Sequence, residues 1–168
     1  MGFWSFSQAA APQVQPPVAS DVFEPVQVFT RFERIRGEID PNGRRMTDLL
    51  NAQPALSVRL ENGVWKLVDR DEILVVAPPP YKSNPQMRVH RRKRRVLARV
   101  GPYDVIGTAH TIPGIDLEPT LLRTRQHFLA ITGAYIRDAR EPDFEQDLAV
   151  AIVHVGNTTD LEALDILS

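Results

Sequence analysis

The chain has 168 residues, 43% hydrophobic and 24% charged, with 14 prolines, no cysteine and a formal net charge of -1. A chain of this length can bury about 70% of its unfolded surface around one core and fold without staples. The missing cysteines exclude disulfides, thiolate catalysis, iron–sulfur clusters and the usual structural zinc sites. The near-neutral charge gives no global attraction to nucleic acid or membrane, so any such contact must come from local clustering.

The opening stretch MGFWSFSQAAAP has no basic side chain, and its apolar residues are interrupted by Ser, Gln and Pro, unlike a secretory signal peptide. Phe6 stands where a myristoylation start needs Ser or Thr. No run of about 18 apolar residues occurs, so no membrane helix is expected and the reading is cytoplasmic. Residues 1–22 read as a disordered arm, because SQAAAPQVQPPVAS has too few large apolar groups to offset the entropy of ordering. Its tip carries Phe3, Trp4 and Phe6. These rings either fold back onto the body or cover a sheet edge, or they dock into a groove of another protein or a membrane interface.

From Val26 to Ile39 the alternation predicts one strand with a bulge or bend near Arg34, where the apolar parity changes. Asp40-Pro41-Asn42-Gly43 predicts a turn, and Met46, Leu49 and Leu50 have the spacing of a short helix that Pro54 limits. Residues 56–60 and 64–68 flank Glu61-Asn62-Gly63, a strong hairpin signal. The run from Ile73 to Ala77 is continuously apolar, as expected of a strand covered on both faces. A strand with Tyr103, Val105 and Gly107 follows, then a Pro113-Gly114 turn and a short helix with Leu117, Leu121 and Leu122. Residues 127–132 and 134–138 form strands about Gly133, and an apolar strand covers 148–155.

This order suggests an internal repeat. Ile35-Arg36-Gly37 parallels Val105-Ile106-Gly107, and Leu49-Leu50 parallels Leu121-Leu122. Each copy would be a strand ending in Gly, a Pro/Gly turn, a Leu-Leu helix, a β-hairpin and a terminal strand, with Gly37 and Gly107 serving a bend or a close helix–sheet approach. The pattern resembles small uncharacterised bacterial β-rich domains that occur singly or in tandem, a resemblance that implies no activity. The expected fold class is α+β: two tandem strand-helix-hairpin-strand units packed as one pseudo-symmetric β-rich body behind a disordered N-terminal arm. The expected organisation is an arm over residues 1–22, a first unit over 23–80, a basic connection over 81–95 and a second unit over 96–168.

The sharpest charge feature is Arg88, Arg91, Arg92, Lys93, Arg94 and Arg95, followed by Arg99. Such a block can contact nucleic-acid phosphates or other anions. No aromatic is interleaved to stack bases, and the ordinary alternatives are a solvated connection or pairing with Asp138, Glu141, Asp143, Glu145 and Asp147. The histidines His90, His110, His127 and His154 show no metal-ligand spacing and read as structural. The acidic alternation lacks the glycine and terminal Glu of a calcium loop. No GxGxxG, phosphate-binding loop or nucleophile elbow occurs, so neither cofactor nor catalytic residues are expected. The functional expectation is a non-enzymatic adaptor or assembly subunit with a protein partner or self-association, docking through Phe3, Trp4 and Phe6. The alternative is a nucleic-acid-associated, regulatory protein using the basic segment, and the third reading is an enzyme whose site is assembled only in three dimensions.

Overall fold

The structure is a computed structural model that describes residues 22–79, 92–111 and 127–164. The aromatic tip, Arg88, Arg91, His90 and the predicted helix with Leu117, Leu121 and Leu122 lie outside the described residues.

β1 (Glu24–Thr30) and β2 (Arg34–Ile39) form a hairpin. The change of apolar parity near Arg34, predicted as a bulge in one strand, is the turn of this hairpin. Thr30 stabilises it: its hydroxyl accepts from the backbone N–H groups of Phe32 at 3.3 Å and Glu33 at 3.0 Å, giving partners to donors that leave the ladder. After a turn in which Asn42 and Gly43 adopt positive φ (48° and 71°), α1 (Met46–Ala52) buries Leu49 and Leu50. β3 (Ala55–Leu60) and β4 (Trp65–Asp69) flank the predicted Asn62-Gly63 turn. There Gly63 has φ 80° and Asn62 Oδ1 accepts from the Val64 N–H at 3.0 Å. A short 3-10 turn leads into β5 (Ile73–Ala77), whose five residues are all buried.

β6 (Arg92–Val100) begins inside the basic run, so the latter part of that run is a strand. It turns through Gly101-Pro102 into β7 (Tyr103–Thr111). β8 (Phe128–Asp138) and β9 (Glu141–His154) make the longest hairpin, and β10 (Thr158–Ala163) follows a 3-10 turn. All pairings are antiparallel, in the order β10-β6-β7-β8-β9-β5-β1-β2-β3-β4. In each half of the chain the fifth strand returns to lie beside the first, and the halves join where Val75 and Val76 pair with Val153 and Ile152.

The α+β expectation is therefore overturned: this is one curled antiparallel sheet with a single described α-helix, not a pair of strand-helix-hairpin-strand units. The physical reason lies in how the sheet covers itself. α1 inserts no layer between β2 and β3, which pair directly at Gly37↔Leu60 and Glu38↔Arg59. The sheet instead curls so that its two halves bury apolar surface on opposite faces. One core holds Val96, Val105, Ile136 and Val153 together with Phe29 and Val75; the other holds Ile35, Leu50, Val58 and Val68 together with Val76, Phe128 and Ile152. Strands β1, β5, β8 and β9 thus contribute to both.

Two glycines have the backbone role predicted for them, although the close approach is to a neighbouring strand and not to a helix. A Cβ on Gly37 would run into the Arg59 carbonyl, and one on Gly107 would lie 2.5 Å from Ile131 Cγ2 and 2.9 Å from the Thr132 carbonyl oxygen. Gly107 faces a bulge in β8, where the register against β7 shifts between Ile106↔Tyr135 and Thr108↔Thr132 and Gly133 takes φ 53°.

Candidate functional site

β4 is the last strand of the sheet, and its bonds to β3 fix which of its backbone groups are free. The hairpin ladder is bracketed by Leu60 N–H to Val64 C=O and Arg70 N–H to Pro54 C=O, each 2.8 Å. In an antiparallel pair, hydrogen-bonded positions alternate. With Val58 opposite Lys66 and Leu56 opposite Val68, the even positions of β4 bond to β3, while Trp65, Leu67 and Asp69 direct N–H and C=O outward. Among the described residues nothing pairs with that side.

The same residues present apolar side chains. Trp65 is 54% exposed and Leu67 68% on one face, while Val68 is buried on the opposite face, toward which Val64, just before the strand, has the same parity. Edge strands are ordinarily blunted by charge, proline or bulges. Lys66 points to the other face and pairs with Glu33, leaving no charge on the outer face until Asp69. Phe23 flanks this patch: its ring lies 5.9 Å from Trp65 and 3.6 Å below the Arg59 guanidinium, which is itself 2.5 Å from Glu38.

The opposite edge is different. Across β10, β6, β7, β8 and β9 the register lines up Asp160, Arg99, Asp104, Arg137 and Glu145 in alternating sign. Arg99 bonds Asp160 at 3.0 Å and approaches Asp104 at 3.7 Å, while Arg137 is 2.9 Å from Asp104. Of the predicted anion-binding residues, Arg99 is thus occupied within the sheet, and Glu145 of the acidic run belongs to the same row. Arg92 opens β6. Lys93 and Arg95 are exposed on the face that carries Arg99, whereas Arg94 is half-buried on the other. Lys93, Arg94 and Arg95 form no ion pair with another described residue.

The polar groups buried elsewhere hold the structure together. Asp138, with 1% of its side chain exposed, bonds the Arg140 guanidinium at 2.8 Å and 3.0 Å and the Arg140 N–H at 2.9 Å. Those bonds hold its carboxyl below the usual range. Arg140 also reaches the Arg31 carbonyl, and the buried Tyr103 hydroxyl, whose pKa burial raises, donates to the Thr30 carbonyl at 3.1 Å. These bonds clamp the β1–β2 turn to the β8–β9 turn. His154 is buried against the Phe128 ring, and its Nδ1 accepts from Asn157 Nδ2 at 2.5 Å. Burial pushes its pKa down and favours the neutral ring. His110 bonds the Thr132 hydroxyl at 2.8 Å, and the His127 N–H donates to Asn51. A groove of about 970 Å³ between β1–β2 and β9 is walled by Gln27, Arg36, Glu38, Arg59 and Asp147, with Glu38 already engaged by Arg59. No cluster of three or more His, Asp or Glu suited to a metal occurs among the described residues.

Sequence reading missed the β4 edge, though a signal was present: in VWKLV, Val64 and Val68 share one parity while Trp65 and Leu67 occupy the other. A strand apolar on both faces needs cover on both. Fold and edge together define the class, a mostly β protein whose apolar terminal strand has no strand partner on its outer side among the described residues. No family model matches the chain, and no curated protein or solved structure matches it significantly. No described helix is long and apolar enough to cross a membrane.

Proposed function

We propose that this chain is a non-enzymatic adaptor or assembly protein that takes up an extended segment of a protein partner along β4. The observation that carries the reading is that Trp65 and Leu67 combine outward backbone groups with side chains that are 54% and 68% exposed. An added strand gains main-chain hydrogen bonds from such an edge, and alternate side chains supply selectivity. The fitting partner segment is extended, free of proline at its donor positions, and apolar at two positions two residues apart.

The test is capture from the native cell extract, with mass-spectrometric identification of retained proteins, by the wild-type chain and by Leu67→Pro. Proline removes an N–H that points away from β3, so the ladder inside the sheet is kept. The expected result is loss of the retained protein with Leu67→Pro, and new hydrogen-exchange protection at the Trp65 and Leu67 amides in the isolated complex. Retention unchanged by Leu67→Pro overturns the reading.

A second reading, nucleic-acid association, is favoured by Lys93 and Arg95 standing exposed side by side on one face of β6. It requires that retained material vanish with nuclease, that Lys93→Glu/Arg95→Glu abolish capture, and that binding fall steeply with salt.

A further inference from the structure

The residue that precedes β1 indicates what first occupies this edge. Phe23 does not lie over its own strand: its ring sits beneath Arg59 of β3 and against Trp65 of β4. Sheet order places β2 and β3 between β1 and β4, so Phe23 already reaches across the outer face to the free edge where the described chain begins at Val22. The chain that precedes Val22 therefore starts beside that edge. Residues 1–21 contain no charged side chain before Asp21 and no proline before Pro12.

The tip has the pattern such an edge accepts. In an extended Phe3-Trp4-Ser5-Phe6, Trp4 and Phe6 fall on one face two residues apart, the same spacing as Trp65 and Leu67. Cross-strand pairing of aromatic and aliphatic side chains at that spacing is the stabilising unit of a sheet. A chain the length of residues 7–22 spans roughly 20 Å, enough to fold back on a site that lies beside its root. The short tether makes the segment's effective concentration at its own β4 of the order of millimolar, well above that of a second copy at ordinary protein concentrations.

We propose that the segment Phe3–Phe6 adds to β4 of its own chain, with Trp4 and Phe6 packed on Trp65 and Leu67, and that a partner reaches the edge only by displacing it. This rests on the reading of β4 as a docking edge and identifies the edge's resident occupant.

The chain contains two tryptophans, Trp4 and Trp65, which makes the contact directly readable. Trp4→Phe keeps an aromatic at the tip and leaves Trp65 as the sole reporter; a form lacking residues 2–20 has the same sole reporter without the tip. The Trp65 emission in full-length Trp4→Phe is expected to be blue-shifted and several-fold less quenched by acrylamide than in the truncated form. The difference should persist on dilution, with sedimentation showing a monomer in both. Adding Phe6→Ser to Trp4→Phe is expected to move the quenching toward that of the truncated form. Equal quenching in the long and short forms overturns the proposal, as does protection that disappears on dilution together with a sedimenting dimer. The outcomes separate the two claims: Trp65 protection with partner capture indifferent to Leu67→Pro leaves the intramolecular strand standing and removes the partner reading. Partner capture abolished by Leu67→Pro without Trp65 protection does the reverse.

Discussion

Replacing Asp138 by Asn removes a charge from the clamp between the two hairpin turns while nearly keeping its shape. The carboxylate accepts three hydrogen bonds from Arg140, at 2.8, 2.9 and 3.0 Å, and its own side chain is 1% exposed. An amide retains one acceptor and turns a donor toward a guanidinium that can only donate. Bonds to charged groups contribute about 1.5–3 kcal/mol each when buried, but the Arg140 side chain is 46% exposed and recovers part of the loss by turning to water. The net cost of Asp138→Asn is therefore expected to be about 2 kcal/mol near neutral pH, read as a lower urea midpoint at unchanged slope. The pH dependence gives a second check. Because the Arg140 bonds lower the folded-state pKa of Asp138 from its ordinary 3.8, its contribution is complete above that value and disappears as pH falls through the lower folded value. The gap between wild type and Asn should close in strong acid. A gap that stays constant into strong acid, or no measurable gap near neutrality, refutes the account of the clamp.

Gly107→Ala is expected to destabilise by about 1–3 kcal/mol in the same assay, as overpacking does, because the atoms it meets include the Thr132 carbonyl and the Ala134 Cα, which belong to the backbone. His154 should make the protein acid-sensitive in a higher window. Burial lowers its folded-state pKa below the ordinary 6.5, with Asp71 opposing and His127 and Arg70 reinforcing the shift. The stability it confers is thus present above about pH 6.5 and lost as pH falls through the folded value, a decline in urea midpoint that should be smaller in His154→Gln.

Local patterns were legible in the sequence wherever a side chain or dihedral dictates the outcome alone. Asn62-Gly63 produced the expected hairpin, Met46 to Leu50 the expected short helix, and Ile73 to Ala77 the doubly covered strand. What failed were inferences about how elements meet. The parity change at Arg34 admits a bulge or a hairpin, and only the Thr30 hydroxyl decides for the latter. Gly133 reads as a turn between two strands, yet it marks a bulge inside the continuous β8. The basic run looked like a connection because arginines are rare in strand cores; in β6 Lys93, Arg95 and Arg99 are exposed on one face, while half-buried Arg94 shares the other with buried Val96, Ala98 and Val100. The α+β class failed for a related reason, since periodicity cannot show that a sheet will curl onto itself and dispense with a helical layer. For the candidate site, the apolar odd positions of residues 64–68 stood in the sequence, but that β4 ends the sheet and that Phe23 lies against Trp65 needed the third dimension.

The four strands shared by both cores, β1, β5, β8 and β9, have a consequence for how this molecule tolerates change. Most strands have a wet side on which evolution can experiment, but β5 has none: Val75 serves one core, Val76 the other, and both are fully buried. A polar substitution there opens one half or the other whichever way it points. Neither half can be kept intact at the expense of its neighbour, because Phe128 and Ile152 complete the core of the first half while Phe29 and Val75 complete that of the second. The protein should accordingly melt in one step, and inherited variation should gather at the rims of the sheet and spare the seam.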